Sequence, residues 1–169
     1  VNLREAVKEN HDRAERTSLA QLMISGNMRA DTYAAMLENL LAIYAELESD
    51  RLIAKREVLR YSRTLNDLLR LGGRKWPRAT SVSEYCVYLR QLAPSDRWAH
   101  IYVHYLGNMY GGQLLRKSLP GSCEHLEFDD LKGCIAYVRE NIKDVDPAEA
   151  NRAFEWTIRI YDELHQLFG

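Results

Sequence analysis

Two short stretches hold the residues best suited to chemistry: HDRAE, residues 11–15, and YLGNMYGGQLLRK, residues 105–117. In the first, Glu15 follows His11 by one helical turn, so its carboxylate lies within reach of a ring nitrogen. A histidine that ligates a metal through one nitrogen commonly gives its other N–H to such an acceptor, which fixes the tautomer and raises its basicity. An ordinary i,i+4 surface pair has the same spacing. A lone inward histidine is also compatible with a hydrogen-bonded core position. In the second stretch, Gly107, Gly111 and Gly112 interrupt a helical pattern, each costing about 1 kcal/mol relative to alanine. Gly107 and Gly111 would open one smooth patch. Such a patch serves close helix packing, or lets backbone lie against a flat ligand where a Cβ would collide. Packing needs only one face, whereas the adjacent Gly112 also loosens the helix. An inward histidine opposite a smooth, pliable helix describes a slot for a planar macrocycle, with one axial ligand below and room for a small gas above.

The remaining candidates are weaker. His100 and His104 have i,i+4 spacing that suits a metal pair, but no carboxylate or cysteine follows at a matching turn. His125, in an acidic loop, and His165, near the end, are expected at the surface. Tyr85, Tyr88, Tyr102 and Tyr105 read as core and helix-packing residues. The basic run LRLGGRKWPR, residues 69–78, reads as a solvated loop, with docking of an acidic electron donor as the alternative.

The elements that position these residues are helical almost throughout. The 169 residues are 46% hydrophobic and 28% charged, ordinary values for a globular protein able to bury a substantial core. A formal net charge of −1 gives no global attraction to nucleic acid or membrane. Cys86, Cys123 and Cys134 lack metal-ligand spacing and fit reduced thiols. No apolar run approaches the ~20 residues needed to span a bilayer and no signal-peptide pattern is present, so a cytoplasmic location without a membrane anchor is expected.

Leu3, Val7, His11 and Ala14 share a stripe near the start. A short helix over Leu19 to Ile24 stops at Gly26. Asp31 can cap a long helix with Tyr33, Met36, Leu37, Leu40, Tyr44 and Leu47 on one face. Helical stretches follow through Leu59 and from Leu65 to Leu69, ended by Gly72 and Gly73. Ser81 and Glu84 have capping-box spacing. Pro94 breaks that helix, and Ser95 can start the long segment containing the glycines, which ends at Pro120-Gly121. GSCEHLEFDD reads as a loop, and a helix from Leu131 to Ile142 comes next. Asp146, Pro147 and Glu149 supply an N-cap, an N1 proline and an N3 acid for a last helix. The fold class is all-α, one domain over residues 1–169.

HDRAE, YLGNMYGGQLLRK and AFEWTIRIYDELHQL (residues 153–167), in this order and at these separations, resemble the haem oxygenases. ISGNMRADTYAAMLENLLAIYAELE, residues 24–48, resembles the second long helix of that family. The resemblance covers most of the chain and is weakest around residues 55–80 and before Leu131. It implies an all-α fold with haem b held between a proximal and a distal helix. Haem is then both cofactor and substrate, cleaved with O2 to biliverdin, CO and ferrous iron. Electrons would come from an external ferredoxin or flavoprotein reductase, since the chain has no nucleotide or iron–sulfur motif. A monomer is expected.

Residue by residue, the resemblance makes His11 the axial iron ligand and Glu15 its hydrogen-bond partner. Gly107 and Gly111 match glycines lying against the haem, where they steer the reaction, and Gly112 completes the pattern. Arg4 and Lys8 match basic positions facing a propionate, Lys132 and Arg139 stand near the other, and Phe154 matches a wall aromatic. Asn108 departs from the family: aspartate is usual there and organises a distal water. Asparagine can hold a water but cannot accept a proton. His104 stands where arginine is frequent, and Thr157 where asparagine is. Either the proton route is rebuilt through His104, Tyr102, Tyr44 and Thr157, or turnover is impaired; the retained histidine and glycines favour the first. Two rival readings stay in view. One is a haem-binding sensor, carrier or chaperone without turnover. The other is a di-iron helical bundle, which needs several inward Glu-x-x-His pairs that EHLEFDD and DELHQL do not supply.

Overall fold

The computed structural model describes residues 2–73 and 77–169, and among these it contains helices and turns but no strand. Three short helices come first: α1 (Leu3–Ala6), α2 (Lys8–Glu15) and α3 (Ser18–Ser25). Thr17 separates the last two, its hydroxyl accepting from Ala20 N, and Gly26 ends α3 at φ +77°, where a Cβ would be strained. The long α4 (Ala30–Glu48) starts one residue before Asp31, which lies in its first turn. The helix expected through Leu59 is absent. That stretch is loop with one 3-10 turn, Arg56–Val58, and α5 (Tyr61–Arg70) follows. Residues 74–76 of the basic run lie outside the described residues.

Helix α6 (Thr80–Arg90) does not use the expected capping box. Its first amides are satisfied from other helices instead: Ala79 N donates to Asn39 Oδ1 at 2.9 Å and Ser81 N to Glu163 Oε1 at 2.8 Å. Glu84, the expected box partner, pairs with Arg159. Helix α7 (Pro94–Met109) stops short of the expected Pro120, and a single turn, α8 (Gly112–Leu115), follows the break. The chain closes with α9 (Leu131–Asn141) and α10 (Pro147–Phe168). As its sequence predicts, Asp146 caps α10 by accepting from Ala148 N, with Pro147 at its first position.

Helix α10 is the common floor, packing against α2, α3, α6 and α7, while α4 covers α5 and α6 and α9 covers α7. The main core joins α4, α6 and α7 through residues such as Tyr33, Leu37, Leu47, Tyr85, Leu89 and Ile101. A second, smaller core ties the N-terminal helices to α7 and α10 through Val7, Ala14, Ala99, Val103, Ala153 and Phe154. Alanines there let the helices approach closely. All three cysteines are free and buried. No helix of the described residues is long and apolar enough to cross a membrane.

The loop after α8 is pinned from beneath. Asp67, fully buried on α5, accepts from the amides of Glu124 and His125, from the Ser122 hydroxyl and from His125 Nδ1 at 2.7 Å. His125 is therefore buried, not exposed as its acidic neighbours suggest. His165 is half-buried. Arg60, also fully buried, donates to the carbonyls of Glu57, Val58, His125 and Glu127.

Candidate functional site

His11 is not buried in the core: its side chain is 51% exposed, which corrects the inward placement. Val7 and Ala14 take the buried positions of that stripe, and the imidazole stands at its edge. Its Nε2 lies 3.2 Å from Glu15 Oε1 and its Nδ1 3.5 Å from Asp12 Oδ1. Phe154 of α10 meets the ring edge-on, with centroids 5.8 Å apart. Either nitrogen can be given to a ligand while the other keeps a carboxylate partner. A simple core histidine would not be arranged this way.

The glycines separate into two kinds. A Cβ built on Gly107 meets nothing within 4 Å, and one on Gly111 only touches the Gly107 carbonyl at 3.7 Å. Both are exposed, so this side of the segment opens outward with bare backbone. Gly112 is different: it is buried, and its Cβ would lie 2.9 Å from Leu126 Cδ2. Gly112 is a packing residue beneath the loop and does not line the open side. Between Gly107 and Gly111 the helix breaks at Tyr110, with φ −105° and ψ −84°. Gln113 braces the break, donating from Nε2 to Asn108 O at 3.0 Å and Leu126 O at 2.7 Å. Asn108 itself donates from Nδ2 to the Tyr44 hydroxyl at 2.8 Å.

The basic candidates are unevenly placed. Arg4 on α1 and Arg139 on α9 both act electrostatically on the Tyr102 hydroxyl, although burial still raises the pKa of that phenol. Arg4 and Arg139 thus both lie within electrostatic range of Tyr102, each from a different helix. Arg139 also donates twice to the Tyr110 hydroxyl, at 2.6 and 3.2 Å, which ties α9 to the break. Lys8 is exposed and paired with Asp12 at 2.7 Å, and Lys132 is exposed on α9.

The hydrogen bonds of the interior run differently from the expected route. His104 bonds Tyr85, not Tyr102, and Thr157 donates to Ala153 O. His100 and His104 do not face each other as a metal pair; both bond the Tyr85 hydroxyl, and Glu149 bonds the far side of His100. Among the described residues, no cluster of three or more His, Cys, Asp or Glu could hold a metal ion. Sequence reading missed Glu149 and Tyr85; the i,i+4 histidine pair was its one outward signal. A separate open groove of about 520 Å³, lined by Arg13, Ser81, Arg159, Glu163 and others, contains none of the candidate haem-site residues.

The "Heme oxygenase" family model matches residues 1–158. Heme oxygenase 2 of Mus musculus is 27% identical over 97% of the chain and 64% of its own length, so the chain spans just under two thirds of that relative. Heme oxygenase 1 of Synechocystis sp. is 26% identical over 96% of the chain and 82% of its own. Among solved structures, heme oxygenase-1 from Synechocystis sp. in complex with heme superposes with a TM-score of 0.85 at 25% identity, covering 98% of this chain and 91% of that one. Heme oxygenase from Leptospira interrogans gives 0.83 at 25% identity, covering 95% and 97%.

Proposed function

The chain belongs to the haem oxygenase family, and from that premise we propose that it cleaves haem to biliverdin, CO and ferrous iron, using O2 and electrons from a ferredoxin or flavoprotein reductase. The reading is carried by a half-exposed, carboxylate-backed His11 together with, on α7, a glycine whose Cβ direction is open space. The residues fit haem: an imidazole for the iron, bare backbone for the flat face, Phe154 as an aromatic edge, and Arg4 and Arg139 for the propionates.

When bound, haem supplies the site that takes up O2 and the ring carbon that is oxidised. The protein's part is to hold and to shape. His11 would give one nitrogen to the iron, and the carboxylate at the other nitrogen would keep the ring in one tautomer and make it a stronger donor. Gly107 and Gly111 bring main chain close to one face, which restricts where a small molecule can sit. Arg4 and Lys8, with Arg139 or Lys132, would hold its carboxylates through charge-assisted hydrogen bonds. Asn108 uses its Nδ2 donor on Tyr44 and keeps Oδ1 as an acceptor for water. Unlike aspartate it cannot take up a proton, so protons reach this side only through water and neighbouring groups.

A second reading is favoured by Asn108 in place of the usual aspartate: a protein that binds haem through His11 and leaves the ring intact. One single-turnover experiment separates the two. Haemin-loaded protein receives an electron donor under air with catalase present, and the Soret band, bilin and CO are followed. Loss of the Soret band with bilin and CO released supports the oxygenase; a stable haem spectrum supports the binding protein. His11→Ala is expected to abolish the axial ligation seen in the haem spectrum, and an unchanged spectrum with full turnover would remove the assignment of His11.

A further inference from the structure

Glu149 begins a run of hydrogen bonds that crosses the interior from α10 to α7, on to α6 and back to α7. Its carboxylate is almost fully buried and accepts at one oxygen from Tyr88 at 2.5 Å and His100 Nε2 at 2.7 Å, and at the other from Arg152 at 2.8 Å. Beyond the His100 ring, Nδ1 lies 2.5 Å from the Tyr85 hydroxyl, which lies 2.8 Å from His104 Nε2.

The proton positions follow from the end of this run. Burial works against the charge on Glu149, yet the bonds from Tyr88, His100 and Arg152 hold its pKa below the ordinary value. An ionised carboxylate only accepts, so His100 donates from Nε2–H. Burial outweighs Glu149 in lowering the His100 pKa, so the imidazole is neutral and its Nδ1 accepts. Tyr85 then directs its O–H to His100 and offers a lone pair to His104, which must donate from Nε2–H. Burial, with His100 nearby, lowers the His104 pKa to about 3, so this ring is neutral too. Its Nδ1 is left as an acceptor with no partner among the described residues.

His104 also lines a small cavity of about 20 Å³ with Asn39, Thr157, Ile160 and Tyr161. That volume suits one water, which needs polar partners to be held. Thr157, whose hydroxyl donates to Ala153 O, and Tyr161 line the same cavity. Tyr161 is near enough to bear on the ionisation of Tyr44, the partner of Asn108.

We propose that Glu149, acting through His100 and Tyr85, fixes His104 as the Nε2–H tautomer, so that His104 Nδ1 holds a water in the cavity beside Thr157 and Tyr161, next to the Tyr44–Asn108 pair. Glu149, His100 and Tyr85 are positioning residues in this scheme, and the oriented water supplies the hydrogen-bonding capacity that Asn108 lacks. The use of that water in turnover rests on the oxygenase reading; the tautomer does not.

The test is made on ligand-free protein labelled with 15N-histidine, using two-bond 1H–15N correlation spectra at neutral pH and the backbone amide spectrum as the check of fold. In the wild type, His104 is expected to show one pyrrole-type nitrogen, Nε2, and one pyridine-type nitrogen, Nδ1. Tyr85→Phe cuts the run, and Glu149→Gln replaces a pure acceptor by a group that can also donate. Both should convert His104 to a mixture of tautomers. Tyr88→Phe removes a donor from the same carboxylate without cutting the run and should leave His104 unchanged. A wild-type Nδ1–H tautomer overturns the proposal, as does an unaltered His104 in both Tyr85→Phe and Glu149→Gln, or equal disturbance by Tyr88→Phe. In haem-loaded protein, the two relay variants should slow single turnover severalfold at similar haem affinity, and unchanged rates would overturn the role of the water. A wild type that binds haem without cleaving it would remove the oxygenase reading alone, because the tautomer is read without haem.

Discussion

Asn108 Nδ2 donates to the Tyr44 hydroxyl across 2.8 Å, joining α7 to α4 one residue beyond the open glycine, Gly107. Tyr44 is buried, and burial keeps its phenol protonated well above the ordinary range. Asn108→Leu would leave that hydroxyl without its donor, at a cost of about 1–3 kcal/mol. Asn108→Asp should be milder, because Tyr44 can turn its O–H toward the carboxylate. Urea unfolding of the ligand-free protein checks the order. A leucine variant as stable as the wild type would mean that the bond contributes nothing.

Gly107 and Gly112 lie five residues apart and should respond in opposite ways to the same substitution. Gly107→Ala adds a methyl to open space within a helix, which favours the ligand-free fold by up to about 1 kcal/mol. The same methyl would project into the proposed haem face, so haem affinity and turnover should fall. Gly112→Ala pushes on Leu126 Cδ2 and should destabilise the protein by about 1–3 kcal/mol. Thermal melting with and without haem compares them. A Gly107→Ala protein that binds and turns over haem normally would move the haem face elsewhere.

Local signals made most helices legible. Asp146 with Pro147, and Gly26 after α3, act within one turn and appear in the structure as read. The break at Tyr110 was not legible in position. The glycines announced a loose segment, but where it breaks depends on Gln113 reaching Asn108 O and Leu126 O, a matter of tertiary packing. His125 misled for the same reason: its neighbours are acidic, yet its partner Asp67 lies 58 residues away. The His11–Glu15 spacing could be seen, whereas the half-exposed ring could not, since Val7 and Ala14 fill the core beside it. The run from Glu149 to His104 joins side chains 49, 15 and 19 residues apart, so the sequence displays only its i,i+4 histidine pair.

Arg60 should prove among the most sensitive positions outside the site. Its guanidinium serves four carbonyls and lies 3.8 Å from the centroid of the Phe128 ring. Arg60→Met would strand those acceptors and free the loop beneath Gly112, at a cost of about 3 kcal/mol or more. Arg63→Met is the comparison: Arg63 bonds Glu127 O and Asp129 from a more exposed position, and its loss should cost less than about 1 kcal/mol. Amide exchange at Gln113 should quicken in the first variant only. Equal effects would show that burial of Arg60 is not what holds the loop.

Acidification should destabilise the ligand-free protein through its buried histidines. The pKa of His104 is lowered from 6.5 to about 3 by burial and by His100, and that of His100 is lowered by burial. Below pH 6.5 the unfolded chain therefore takes up protons that the folded chain refuses, and stability falls as pH falls toward 3. The slope is at most about 1.4 kcal/mol per pH unit for each imidazole. Asp67 and Glu149 have lowered pKa values, so they lose their stabilising effect only at more acid pH. Glu48, whose pKa burial raises, acts in the opposite sense, so the difference between wild type and a His104 variant over about pH 7 to about pH 5 is what reports His104. His104→Phe should reduce the loss of stability over this interval, because one refused proton disappears while Tyr85 keeps its bond to His100. Urea midpoints of the two proteins at the two pH values measure the difference. An identical loss in both would mean that His104 accepts a proton in the folded state, and the neutral ring assigned to it would be wrong.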